Sequence, residues 1–175
     1  MRRQFTAIAL VVVLVATAGC LGIGTGGEGS GTENAVPEEG AAIENAAANQ
    51  TAANQTVRAA VNDSTAGEEW DTVAVSYPRD RFTVETVAHE NVSLGVDTDA
   101  DGEIDRRFNE THVSGVNTND YSYTIALDTG YTLENDDVVV VEYPAVDTPE
   151  ESGTYTVAVA INDADPVDTD VEIGE

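Results

Sequence analysis

Asp97-Thr98-Asp99-Ala100-Asp101-Gly102-Glu103-Ile104-Asp105 sets carboxylates at alternate positions around a glycine. Calcium takes about six to eight oxygen ligands at roughly 2.3–2.6 Å, and alternate Asp residues wrapped around a tight turn supply them. In that chemistry Asp97, Asp99 and Asp101 offer carboxylates and Glu103 its backbone carbonyl. Asp105 adds a direct or water-mediated oxygen. Gly102 takes the sharp turn, and Ile104 is expected to point into the core. The competing reading is a solvated acidic turn, because 33 Asp and Glu are spread through the 175 residues. Other metal chemistry is poorly supplied. His89 and His112 are the sole imidazoles, Cys20 is the sole thiol, and no H-E-x-x-H run occurs.

The nine residues resemble the first two-thirds of an EF-hand loop. They depart from it at the twelfth position, where Phe108 stands in place of a bidentate Glu, and Glu110 lies two residues further on. No flanking helices are evident. The run is more similar to the calcium loops of dockerin and thrombospondin-type repeats, although one copy is present. That resemblance implies extracellular Ca2+ of weak affinity.

Enzyme templates fail in specific ways. No G-x-S-x-G elbow and no Gly-rich phosphate loop before a helix are present. A blue-copper site needs a Cys thiolate, two His and usually a Met within the domain, and Cys20 and Met1 are the only candidates. A hydrolase would need a pocket of titratable groups around His89 or His112. The string from His112 to Tyr131 offers His112, Asn119, Asp120 and Tyr121 as polar groups on a loop. Turn-forming Gly115 and Asn117 to Asp120 explain the string without a ligand, and a hairpin leading into a Tyr121–Leu127 strand is the reading expected. No enzyme is expected.

Five Asn-x-Ser/Thr sequons occur, at Asn49, Asn54, Asn62, Asn91 and Asn109. Each is a candidate glycosylation site if the chain is exported.

Those side chains need a location and a scaffold. Met1 to Cys20 reads MRRQFTAIALVVVLVATAGC: two arginines, a short apolar run, small residues, then the cysteine. The apolar run is shorter than the roughly 20 residues of a spanning helix. It has the parts of an export signal with a cleavage site. Thr17-Ala18-Gly19-Cys20 resembles a lipobox, which implies cleavage before Cys20 and lipid attachment to its sulfur. Arg2-Arg3-Gln4-Phe5 resembles the twin-arginine export signal, which carries folded cargo.

All seven basic residues are Arg, against 33 acids, for a formal charge of −26; past Cys20 five arginines remain. A nucleic-acid groove is excluded, because a phosphate polyanion needs clustered cations. Self-repulsion on this scale destabilises a small domain in dilute salt. At 1 M salt, where the Debye length is about 3 Å, it is largely silenced.

Residues 20–69 carry few bulky apolar side chains and are expected to form a low-complexity stalk. Ile43, Ala46, Ala53, Val57 and Val61 lie on a marginal helical stripe within it. From Trp70 the pattern switches to period two: Val73, Val75 and Tyr77; Phe82 and Val84; Val92, Leu94 and Val96; Tyr121, Tyr123, Ile125 and Leu127. Val138 to Val141 form a denser run, followed by Tyr155, Val157, Val159 and Ile161, then Val167, Val171 and Ile173. Pro- and Gly-containing turns separate the runs. About seven short strands over residues 70–175 predict an all-β fold, an antiparallel β-sandwich of immunoglobulin-like or related type.

The whole is similar to haloarchaeal twin-arginine-exported surface lipoproteins with an immunoglobulin-like sandwich head. That resemblance implies a signal peptide over residues 1–19, a lipid on Cys20 as the tie to the membrane, and an extracellular head. The role expected is structural, adhesive or binding, towards an envelope protein or polysaccharide. The alternative is a solute- or polymer-binding lipoprotein serving a transporter or extracellular enzyme.

Overall fold

The computed structural model describes residues 41–44 and 47–174. Met1 to Cys20, with the expected export segment and lipidation site, lies outside them. Eleven strands occur among the described residues: β1 (Ala41–Glu44), β2 (Ala53–Ala60), β3 (Thr72–Ser76), β4 (Thr83–Val84), β5 (Ser93–Asp97), β6 (Arg106–Phe108), β7 (Val113–Asn119), β8 (Ser122–Leu127), β9 (Val138–Asp147), β10 (Gly153–Ile161) and β11 (Val167–Ile173). One sheet runs β1-β2-β9-β5-β6, with β4 also on β9; the other runs β11-β10-β3-β8-β7. All these strand pairings are antiparallel. The expected antiparallel β-sandwich is the fold.

The period-two rows explain its interior. Val139, Val141, Tyr143 and Val146 of β9, on one sheet, and Tyr123, Ile125 and Leu127 of β8, on the other, are all buried in one core. Tyr123 stacks on Tyr143 with ring centroids 4.0 Å apart and planes 7° from parallel, joining one sheet to the other. Trp70 is fully buried and meets Phe108 edge-on at 5.6 Å. Burial pushes the Tyr77 and Tyr123 hydroxyls above the ordinary phenol range.

The expected stalk is corrected from its C-terminal side. Residues 47–69 belong to the sandwich rather than to a tether, and no α-helix occurs among the described residues. β2 pairs with β9 over Ala53 to Ala60, and its inward Val57 and Ala59 are buried, as is Val61 beyond it. The boundary at residue 70 therefore falls inside the domain. Small alanine side chains carry little strand propensity, so pairing with the valine-rich β9 decides the conformation. Val57 and Val61 fit a helical stripe and a strand face equally well, because a spacing of four satisfies both periods.

Two further strands fall outside the expected period-two runs. β6 is only three residues long, too short to show alternation. β7 contains Gly115, Asn117 and Asn119, which read as turn residues, and the actual turn is confined to Asp120 and Tyr121. Gln55 is another departure from pattern: it is fully buried in the valine row, and neither carboxamide atom has a partner among the described residues.

Candidate functional site

The acidic run leaves β5 at Asp97 and returns through β6 at Arg106. Asp105 N–H donates to the Val96 carbonyl at 3.0 Å, and Asp105 Oδ2 accepts from Thr98 N–H (2.8 Å) and Thr98 Oγ1 (2.9 Å), so the neck of the loop is closed. Inside it Asp97 takes the central place. Its Oδ1 accepts from Asp101 N–H at 3.2 Å and its Oδ2 from Gly102 N–H at 2.8 Å. Ala100 (φ +55°) and Gly102 (φ +96°) both take the left-handed region that lets the chain turn back on this carboxylate. For Ala100 that conformation costs roughly 1–2 kcal/mol, offset by the bonds it allows.

The loop docks on the outer face of its sheet. Successive strand residues alternate faces, so with Leu94 and Val96 inward, Gly95 and Asp97 face outward. Ile104 was expected in the core; instead it lies half-buried over Gly95. A Cβ built at Gly95 would meet Ile104 Cγ2 at 2.3 Å and the Arg106 carbonyl at 3.0 Å, so only glycine admits this seat. The same face carries Val140, which is 2% exposed although it points away from the sandwich interior. Arg58 of β2 pairs in register with Val140 and reaches the loop from the side. Its Nη1 lies 3.5 Å from Asp97 Oδ2, and its Nη2 donates to the Gly102 carbonyl at 2.8 Å.

Of the five predicted ligands, the structure gathers Asp97, Asp99 and Asp105: one carboxylate oxygen of each lies within 4.8 Å of the others. Two oxygens on one calcium stand at most about 5 Å apart, so these three fit a shared ion. Asp97 is buried, whereas Asp99 and Asp105 are exposed. The charge of Asp101, followed by lesser contributions, raises the Asp99 carboxyl above the ordinary carboxylate range. The Thr98 N–H and hydroxyl hold Asp105 below it. Asp101 does not join the trio; its Oδ1 accepts from Glu103 N–H at 2.8 Å. The Glu103 side chain is exposed and its carboxylate is not one of the trio; the ligand expected from it is the backbone carbonyl. Sequence reasoning found the carboxylates and missed Arg58, which lies 39 residues before Asp97.

The remaining candidates are dispersed. Asn49, Asn54, Asn91 and Asn109 are exposed and Asn62 is half-buried, and the first three sequons sit in the sandwich rather than on a stalk. Asn62 Oδ1 accepts from Ser64 N–H (2.9 Å) and Ser64 Oγ (2.5 Å). Asn109 Oδ1 likewise accepts from Thr111 N–H (3.1 Å) and Thr111 Oγ1 (2.6 Å). His112 caps the same turn: its Nδ1 lies 2.9 Å from Asn109 Oδ1, and its ring meets Phe108 edge-on at 5.4 Å. His89 is exposed. Asn119 Oδ1 accepts from Tyr121 N–H, and Arg79 covers the Tyr121 ring at 4.0 Å, so Asn119 and Tyr121 are engaged in holding the β7–β8 hairpin. An indentation between the sheets, lined by Ala59, Asn62, Thr65, Val159, Ile161 and Val167 among others, has a volume of about 20 Å³, room for about one water.

No family model matches the chain, and no curated protein matches it. Among solved structures it is similar to the collagen binding domain of Erysipelothrix rhusiopathiae surface protein RspB, at 10% identity and a TM-score of 0.40, covering 68% of this chain and 40% of that one. It is also similar to collagen adhesin from S. aureus, at 8% identity and a TM-score of 0.42, covering 77% and 48%. A protein from Nocardia farcinica with an immunoglobulin-like fold is similar at 17% identity and a TM-score of 0.35, covering 74% and 80%. The chain thus spans less than half the length of the first and second of these.

Proposed function

We propose that this chain is a non-enzymatic, lipid-anchored protein on the outer face of a halophile's membrane, with its sandwich presented for structural, adhesive or binding work in the envelope. One observation carries the reading: the twenty-residue run ending in Cys20 stands ahead of a sandwich whose interior is filled by its own side chains. Polar groups of the hairpin and of the 109–112 turn are engaged in holding the backbone, which suits a presenting scaffold better than a catalytic one. Twin-arginine export fits a domain that must fold before it meets the outside. The partner class is an envelope protein or polysaccharide. The acidic loop holds a weakly bound Ca2+ on Asp97, Asp99 and Asp105, with Asp101 and Glu103 contributing through water or carbonyl oxygen, and sugars attach at exposed sequons.

Expression of the full chain and of Cys20→Ser in a halophilic archaeal host tests the reading. The wild-type protein is expected in the membrane fraction, released by detergent but not by high salt, and open to protease added to intact cells. Cys20→Ser is expected in the medium. Retention of Cys20→Ser in the membrane fraction, to the same extent as wild type, would overturn the lipid anchor.

A further inference from the structure

We infer that Arg58 is the acidic loop's own counter-cation, holding it in its ligand-bearing shape before any metal arrives. This rests on the calcium reading above only for its second half. The Asp97 side chain is 2% exposed, and a carboxylate so far removed from water needs compensating charge as well as hydrogen bonds. The guanidinium of Arg58, 13% exposed, is the cation that reaches it. Three groups close a ring. Arg58 Nη2 donates to the Gly102 carbonyl, Gly102 N–H donates to Asp97 Oδ2, and that same oxygen faces Arg58 Nη1. Gly102, at the tip of the turn, is therefore gripped through both its N–H and its C=O.

The placement of Arg58 divides the loop into two sides. Arg58 approaches from the buried side, along the outer face of its sheet, while Asp99 and Asp105 stand exposed. A divalent ion then binds from the solvent side and needs no displacement of the guanidinium. Pre-ordering removes the cost of folding the loop on binding. A fixed positive charge nearby works against the incoming ion, so the loop gains order without metal at the expense of metal affinity.

The test uses the full-length chain in molar KCl, as wild type, Arg58→Met and Arg58→Lys. Melting temperature and amide exchange at Asp101 and Gly102 are read with a chelator and with added CaCl2. In chelator, Arg58→Met is expected to melt lower and to speed exchange at those two amides about tenfold or more, with much less change in β8 and β10; the partial exposure of the pair sets this below a fully buried one. Arg58→Lys, a single point charge unable to bridge two acceptors in the same way, is expected to fall between. Calcium is expected to restore the Arg58→Met loop and to raise its melting temperature more than that of wild type. A selective loop defect that calcium leaves unchanged in every protein supports Arg58 and overturns the calcium reading. Unchanged loop exchange in Arg58→Met, or equal loss of protection across the whole sandwich, overturns the role of Arg58. Should Arg58→Met fail to fold, the same criteria apply to Arg58→Lys.

Discussion

Replacing Asp97 with alanine is expected to lower the unfolding free energy by about 3 kcal/mol, measured from denaturant midpoints at fixed molar KCl with chelator present. The magnitude follows from what the carboxylate holds. It accepts from Asp101 N–H and Gly102 N–H, and it faces Arg58 at 3.5 Å while itself buried. Alanine leaves two loop donors without that acceptor and removes the carboxylate that faces the guanidinium. Residual exposure of Arg58 keeps the loss at the low end of the range for breaking a buried pair. Asp99→Ala, at an exposed position whose charge is opposed by its neighbours, is expected to change stability far less in chelator. Similar losses for the two variants would contradict the distinction between a structural and a solvent-facing carboxylate.

Trp70→Ala is expected to cost about 3–5 kcal/mol, the range for emptying a large aromatic site in a packed core. Trp70 is fully buried; its backbone N–H donates to the Tyr131 carbonyl at 2.8 Å and its carbonyl accepts from Thr129 Oγ1 at 2.9 Å, bonds that alanine keeps, so the loss is that of the ring. Its ring supports Phe108, which belongs to β6 and so to the strand that closes the acidic loop. The loss should therefore appear in the global transition, followed by far-ultraviolet circular dichroism, and in weakened β6 protection as well. Trp70→Phe keeps an aromatic ring against Phe108 and is expected to recover more than half of the stability. A loss below about 1 kcal/mol for the alanine variant would place Trp70 at a site that collapses freely, contrary to its packing.

The sandwich was legible where side chains are large and alternate strictly. Val73 and Val75, Tyr123 and Ile125, and Val157 and Val159 announce their strands because every second residue is bulky and its neighbour is small or polar. β2 was hidden by its alanines. Gln55, Val57, Ala59 and Val61 do alternate, but only one of the first three is a large hydrophobe, and the partner that makes them a strand, β9, lies some eighty residues away. The same distance concealed the site. The carboxylates of the loop are adjacent in sequence, and their spacing advertises them. Arg58 faces away from Val57 on a strand whose composition resembles a tether, so its meeting with Asp97 needs the β2–β9–β5 order. Gly95 gave the one usable hint: a glycine inside a strand marks a close approach, here by Ile104.

The acidic run is thus a folded part of the sandwich, docked by Ile104 and gripped by Arg58, and this is the point on which solvated charge and built loop differ. Amide exchange of the wild-type chain in molar KCl with excess chelator separates them most directly. A built loop predicts protection at Asp101 and Gly102 before calcium is added, with only a modest gain afterwards. Exchange at both amides at the rate of an unstructured peptide, with protection arising only on calcium addition or never, would contradict it.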